Sequence, residues 1–268
     1  NQELDTILEM QDMALTGIFP KSKEEKVASG PMTLVKCRES LNNDCCGLVQ
    51  LKEIYNPSMM YGQNYGYRSG LNKSMINHLN GKVKKILNQI TLKQDDIIVD
   101  IGSNDSTLLQ AYPKEKATLV GFDPTGEKFR GYYPDDIILF VDFFTSKTFK
   151  SKFGNKKAKI ITSIAMFYDL DEPLEFVREV FDILSDDGIW VFEQSYLPSM
   201  LEANSFDTIC HEHQEYYRLK EIDWMMKKIG FKIIDIEFNQ INGGSFSVTV
   251  AKLDFPKQET PDLAIFLE

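Results

Sequence analysis

From about Asn72, apolar residues recur at three- and four-residue steps: Met75, Ile76, Leu79, Val83, Ile86, Leu87 and Ile90. That spacing lays a single apolar stripe along a helix. The pattern then changes to short continuous apolar runs at 97–101, 118–123, 137–141 and 159–163. Such runs read as strands buried on both faces. A second helical stripe, Leu174, Val177, Val180, Phe181 and Leu184, starts near Glu172 and leads directly into a fifth run at 188–193. Strands of this type separated by helical segments predict an α/β protein with a parallel sheet and crossover helices. A helix at about 219–229 stops at Gly230, a residue suited to closing helices. Two further strands, 231–238 and 245–252, flank a linker whose Asn242-Gly243 step signals a hairpin. Five parallel strands followed by an antiparallel pair make a seven-stranded, mostly parallel sheet.

Residues 1–62 lack this clear periodicity. Gly17, Pro20, Gly30, Pro31 and Pro57 punctuate them, so they read as a small loop-rich N-terminal module. An aromatic, glycine-rich loop (61–70) joins that module to the main domain, expected over 63–252, and 253–268 read as a linker or the start of another element. A net charge of -10 over 268 residues argues against nucleic acid, whose phosphates call for clustered Lys and Arg. No apolar run approaches the roughly 18 residues of a membrane span, and the opening Asn-Gln-Glu-Leu-Asp is no signal peptide. A cytoplasmic protein handling a small molecule, as monomer or homodimer, is the expectation. Cys37, Cys45, Cys46 and Cys210 are then expected as thiols rather than disulfides.

The chemistry concentrates at strand ends, where open α/β sheets bind ligands. After the first strand come Asp100, Gly102, Ser103 and Asn104: the glycine admits close backbone approach, and Asp100 suits an ammonium group. Asp123-Pro124 ends the second strand, where a carboxylate can accept both hydrogens of a ribose diol. Asp142, Phe143 and Phe144 follow the third, an acceptor for an adenine amino group beside a ring to cover the purine. Ser163 and Ala165 close the fourth, beside the position of a methionine moiety. Four strand ends in one register point to S-adenosylmethionine (SAM), and the strand pattern to a class I SAM methyltransferase fold. The dehydrogenase glycine fingerprint is missing.

Past the fifth strand lie His211, Glu212, His213 and Tyr216. Methylating carbon requires removal of a proton next to a carbonyl, and histidine ionises near neutrality. Glu212 can orient the imidazole, while Tyr216 or Tyr67 can donate to a developing enolate. A His-x-His metal pair and an ordinary surface loop are the alternatives; the segment is not H-E-x-x-H.

Six motifs together resemble the sugar C-methyltransferases of antibiotic deoxysugar pathways. They are Tyr65-Gly66-Tyr67-Arg68-Ser69-Gly70, Asp100-Ile101-Gly102-Ser103-Asn104-Asp105, Phe167-Tyr168-Asp169-Leu170, Phe192-Glu193-Gln194-Ser195-Tyr196-Leu197, Cys210-His211-Glu212-His213 and Asn242-Gly243-Gly244-Ser245. The resemblance implies a SAM-binding middle domain between a four-cysteine zinc domain and a C-terminal domain that helps hold a nucleotide sugar. It implies Glu212-His213 at the active centre with His213 as base, and a tyrosine from the Tyr65–Tyr67 loop beside it. It further implies that Cys37 with Cys45 or Cys46 is half of a structural zinc site, the first cysteine pair and the C-terminal domain lying outside this sequence. Ser106 stands where glycine is usual, and Phe167-Tyr168 where relatives can carry another active-site histidine. The expected activity is C-methylation of a nucleotide-linked keto-sugar. An O- or N-methyltransferase of small molecules and a non-catalytic SAM-binding scaffold are the rivals.

Overall fold

A computed structural model describes residues 3–38, 47–61, 65–260 and 263–267. In chain order the first part contains β1 (Leu4–Ala14), β2 (Ser29–Cys37), β3 (Val49–Leu51), α1 (Pro57–Met60) and α2 (Lys73–Gln89). The central part contains β4 (Ile97–Ile101), β5 (Thr118–Phe122), α3 (Gly126–Phe129), β6 (Ile137–Phe140), α4 (Ser146–Phe153), β7 (Ala158–Ile164), α5 (Pro173–Ile183) and β8 (Leu184–Ser195). The last part contains α6 (Leu197–Ala203), β9 (Glu215–Tyr216), α7 (Leu219–Ile229), β10 (Phe231–Asn239), β11 (Ser245–Lys252) and α8 (Leu263–Leu267).

The larger sheet has the order β10-β11-β8-β7-β4-β5-β6. Strands β4 to β8 pair in parallel, while β11 runs antiparallel to both β8 and β10. The chain builds outward from β4 in one direction through β5 and β6, then returns to build β7 and β8 on the other side. The gap between β4 and β7 is therefore the switch point where ligands of such sheets bind.

Strand alternation splits the core in two. Val99, Val120, Phe122, Trp190 and Phe192 meet Phe149 of α4, Phe176 and Val180 of α5, and Met226 of α7. On the opposite face Ile98, Leu119, Ile160, Ile189 and Val191 meet Leu79, Val83 and Ile86 of α2. Each such side chain contributes about 1.5–3 kcal/mol by leaving water, which fixes the strand ends that form the site. Helix α2 starts where its stripe begins, with the Asn72 side chain accepting from the Ser74 backbone N–H.

Three elements differ from the sequence expectation. The N-terminal segment is not loop-rich: β1 and β2 form a long antiparallel hairpin, joined by β3 and then by β9 in a four-stranded sheet. β1 is exposed along nearly its whole length, so its sequence carries no in-out alternation. β9 pairs with β3 through Val49–Tyr216 and Gln50–Glu215, so the small sheet takes its last strand from the segment after the His loop. Finally, the β4 turn leads into a single 3₁₀ turn at Leu109–Ala111, not an α-helix. Beyond β11, α8 buries Leu263, and Phe266 rests on Phe238 at 4.7 Å between ring centroids. Among the described residues no helix is long and apolar enough to cross a membrane.

Candidate active site

A cleft opens at the carboxyl ends of β4 to β8. The turn after β4 bends sharply: Gly102, Asn104 and Ser106 all have positive φ, at 74°, 48° and 63°. A Cβ on Gly102 would stand 3.2 Å from the Met166 side chain, so glycine meets both the conformation and the space. Ser106 holds its left-handed backbone with the hydroxyl donating to the Tyr132 carbonyl at 3.2 Å and accepting from Gln110 Nε2 at 2.8 Å. Backbone strain of this kind gathers at functional sites.

Two buried acids flank that turn. Asp123 accepts from the Asn104 N–H at 2.7 Å through one oxygen and from the Thr125 N–H at 2.7 Å through the other. The Thr125 hydroxyl also donates to it, so of the about four acceptor positions of a carboxylate one remains toward the cleft. Asp100 accepts from the Thr162 hydroxyl. Burial pushes its carboxyl up to about 7, the Thr162 bond opposing and the Asp123 charge adding to the effect. Burial likewise raises Asp123, against its three hydrogen bonds. Among the described residues neither acid has an ion-pair partner. A cationic ligand carrying a diol fits this donor set, as SAM requires.

Of the residues expected at the cofactor, Asp100, Gly102, Ser103, Asn104, Asp123, Pro124, Asp142, Phe143, Phe144 and Ala165 line the cleft. Phe144 is anchored in the core against Phe122 and Phe176, leaving Phe143 as the exposed ring. Asp142 accepts from the Phe143 N–H at 2.8 Å. Ala165 has φ 53° and donates its N–H to the Glu193 carbonyl at 2.7 Å. Ser163 does not line the cleft: it is fully buried, its hydroxyl accepting from Trp190 Nε1 at 2.9 Å.

The other end of the cleft is assembled from distant segments. The aromatic loop docks on the β4 turn: the Ser69 N–H donates to Asn104 Oδ1 and the Gly70 N–H to Asp105 Oδ2, both at 2.9 Å. A Cβ on Gly70 would lie 2.5 Å from that Asp105 oxygen. Tyr61, Tyr65, Tyr67 and Asp169 line this end. Tyr61 donates to Asp169 Oδ2 at 2.7 Å, while Asp169 Oδ1 is buried without a partner among the described residues. Burial holds the Asp169 carboxyl well above its ordinary value, with the neighbouring His213 opposing. Burial also raises the hydroxyls of Tyr61, Tyr65 and Tyr67, which therefore remain protonated donors.

His213 stacks at 4.1 Å on the ring of Tyr168, and its Nδ1 faces the Thr208 carbonyl at 2.8 Å. A carbonyl only accepts, so Nδ1 carries the proton and Nε2 is the basic lone pair. The His loop is pinned by Gln214 N–H to Tyr168 O at 2.7 Å and by Leu51 N–H to Gln214 O at 2.8 Å. Glu212 is half-buried; burial raises its carboxyl and His213 lowers it. Glu212 and His213 do not line the cleft themselves. They adjoin it through Asp169, Tyr61 and Tyr65, whose proton affinities their charges shift. A side chain at Gly17 would strike Glu212 Oε1 at 1.9 Å, so the tip of the small hairpin closes over this pair.

His211 and Tyr216 are not brought to the cleft. His211 is fully buried, its Nε2 3.2 Å from the Gly30 carbonyl and its ring edge-on to Tyr55. Tyr216 packs among Met32, Leu34 and Val49 in the small sheet. The His-x-His pair is thus divided, and Cys210, Glu212 and His213 form the one group among the described residues with ligand atoms within 4.8 Å of one another. Cys37 is buried at the end of β2, and Cys45 and Cys46 lie outside the described residues.

From sequence, Tyr61 has no assigned role beyond its place in the aromatic loop, and neither do Asp169 and Glu193, although both acids stand in motifs that carry the resemblance. Glu193 is a site residue too. It lines the cleft, held by His78 Nε2 at 2.5 Å, Lys82 Nζ at 2.8 Å and Asn239 Nδ2 at 2.9 Å. Burial opposes its ionisation, but His78 and Lys82 outweigh burial and keep Glu193 below its ordinary value.

Comparison with known proteins agrees with this geometry. The methyltransferase domain family matches residues 75–236, more than half of the chain. The C-methyltransferase NovU of Streptomyces niveus is 25% identical over 239 residues, 88% of this chain and 55% of that protein. The chain therefore spans about half the length of this curated relative. Among solved structures, the complex of the Haloferax volcanii Trm112 methyltransferase activator with a putative methyltransferase matches with a TM-score of 0.53 at 16% identity. That match covers 68% of this chain and 94% of the other. The cyclopropane synthase MmaA2 of Mycobacterium tuberculosis matches with a TM-score of 0.52 at 14% identity, over 74% and 92%. The plantazolicin methyltransferase BpumL, in complex with a pentazolic desmethylPZN analog and SAH, matches with a TM-score of 0.51 at 13% identity, over 65% and 83%. At these identities the structures share the fold. The chain belongs to the methyltransferase domain family, and its fold is that of the class I SAM-dependent methyltransferases.

Proposed function

We propose that this methyltransferase adds a methyl group to a carbon of a nucleotide-linked keto-sugar, next to the carbonyl. The observation that carries this reading is the His213–Thr208 hydrogen bond, which leaves Nε2 as the free basic nitrogen of a residue whose charge acts on Asp169 in the cleft lining. The C-methyltransferase relative supports carbon over oxygen or nitrogen as the acceptor.

Asp100 would hold the ammonium of SAM, Asp123 the ribose diol, and Asp142 with Phe143 the adenine. When bound, SAM supplies an electron-poor methyl group to a carbon nucleophile. His213, which adjoins the cleft through Asp169 without lining it, would take the proton from the sugar carbon at Nε2 once the acceptor is bound, leaving an enolate. Asp169, with one oxygen held by Tyr61, steadies the imidazolium that results. Tyr65 and Tyr67, kept protonated by burial, donate to the enolate oxygen. Glu212, on which the His213 charge acts, would orient the imidazole or share its proton.

A structural zinc belongs to the same proposal, with Cys37 as one thiolate and Cys45 or Cys46 as another. Two thiolates do not fill a tetrahedral shell, so two further ligands would be required, and no chemical step runs through it. Metal analysis of an N-terminally extended chain tests it; a metal-free protein rejects it.

Incubation with SAM and a panel of nucleotide-linked keto-sugars, read by mass, tests the main reading. The expected result is one added methyl on the sugar fragment with loss of one carbon-bound hydrogen. Methylation confined to oxygen or nitrogen acceptors contradicts it.

A further inference from the structure

Two neighbouring residues at the end of β8 are treated in opposite ways. Glu193 is tied by three side chains. Gln194 is just as deeply buried, at 1% exposure, and also lines the cleft. Yet neither its Nε2 nor its Oε1 has a hydrogen-bond partner among the described residues. Buried amide groups are nearly always satisfied, because an unpaired one loses its water without replacement. Leu or Met would fill this place without that loss. A carboxamide kept here, on a residue that lines the ligand cleft, is explained by a ligand that reaches it and satisfies it.

The strand order says which part of the ligand. Gln194 ends β8, on the far side of β4 from β5 and β6, whose ends carry Asp123 and Asp142. It therefore stands away from the ribose and adenine positions. Alternation along β8 puts it on the side of Phe192, whose ring meets Phe167 two residues before Asp169. Asp169 Oδ1 is a second unpartnered buried atom at this end of the cleft. A carboxamide donates two N–H bonds and accepts through its oxygen. Its complement is a group that donates and accepts at adjacent atoms, as neighbouring hydroxyls on a sugar ring do; a keto oxygen alone offers no donor.

We infer that Gln194 is a specificity-determining residue that reads neighbouring hydroxyl groups on the ring of the methyl acceptor. The inference rests on the proposed keto-sugar substrate and adds which ring substituents the enzyme requires. Its test compares wild type, Gln194→Leu and Gln194→Asn by calorimetry. The probes are SAH and two nucleotide-linked 4-keto-sugars, one with adjacent ring hydroxyls and one lacking a hydroxyl of that pair. Wild type should prefer the hydroxylated probe by about tenfold or more. Gln194→Leu should lose that preference, Gln194→Asn should keep part of it, and SAH should bind all three within about twofold. The melting temperature of Gln194→Leu should not fall by more than about 3 °C, since the amide has no hydrogen-bond partner among the described residues. Retained discrimination in Gln194→Leu, an equal loss of SAH affinity, or a larger fall in melting temperature overturns the assignment. A wild type that binds neither sugar overturns the substrate reading itself, and is told apart because SAH binding and melting then match in all three proteins.

Discussion

The two ends of the cleft are built on different principles. The cofactor end is made by strand ends of a single sheet, with Asp100 on β4, Asp123 after β5 and Asp142 after β6. Asp100 and Asp123 are buried at the ends of buried strands, so core packing sets their place, while Asp142 is exposed after the edge strand β6. The methyl-acceptor end is made by the aromatic loop, the end of β7, the His loop and the tip of the β1–β2 hairpin, which meet only through tertiary contacts. On the proposed reading the first end holds the cofactor and the second is where chemistry and specificity are set, and the two should fail separately when mutated.

The largest expected effect falls at the acceptor end. His213→Asn should lower turnover by about a hundredfold to ten-thousandfold while SAH affinity, measured by calorimetry, stays near wild type. Equal losses in both would show that the two ends are one structural unit. Asp169→Asn should follow the same pattern more mildly, by roughly tenfold to a hundredfold, short of the ~10⁴ seen when a triad aspartate is neutralised. Unchanged steady-state turnover would remove Asp169 from the reaction.

The cofactor end should show the reverse. Asp123→Ala should weaken SAH binding by about 1–3 kcal/mol. Because Asp123 also accepts from the Asn104 and Thr125 backbone, Asp123→Asn, which keeps an acceptor, should recover part of the loss. Unchanged affinity in both variants would contradict the ribose assignment.

The smallest effect is a pH dependence. The Asp100 carboxyl lies near 7 in the free protein, raised from 3.8 by burial. Pairing with an ammonium requires the ionised form, so SAH affinity should rise from pH 6 to pH 8, by up to about tenfold per pH unit below 7. Stability of the ligand-free protein should move the other way. The folded value lies above the unfolded one, so the contribution is present below about 4 and is lost as pH rises toward 7. Asp100→Asn should flatten both profiles, and an unchanged slope would assign them to another group.

Most of the large sheet was legible because its strands are buried on both faces and its helices carry single stripes. That Asp100, Asp123 and Asp142 line one cleft was legible for the same reason, each ending an apolar run. Ser163 was misplaced by one step of the pleat: its side chain turns into the core toward Trp190, and Ile164 lines the cleft instead. The β1–β2 hairpin was missed because β1 is exposed almost throughout and no alternation marks it. His211 and His213 are two residues apart, and no local rule says which enters the small sheet and which meets Tyr168. Asp169 and Gln194 stand out only by their unpartnered atoms, a property that exists once the surrounding contacts do.

The central claim is that His213 removes a carbon-bound proton before methyl transfer. Solvent-deuterium exchange into the nucleotide-linked keto-sugar, followed by mass without SAM, isolates that step. Wild type should incorporate one deuterium next to the carbonyl, and His213→Asn should slow incorporation by about a hundredfold or more. Exchange in His213→Asn at the wild-type rate would place the base elsewhere and contradict the account.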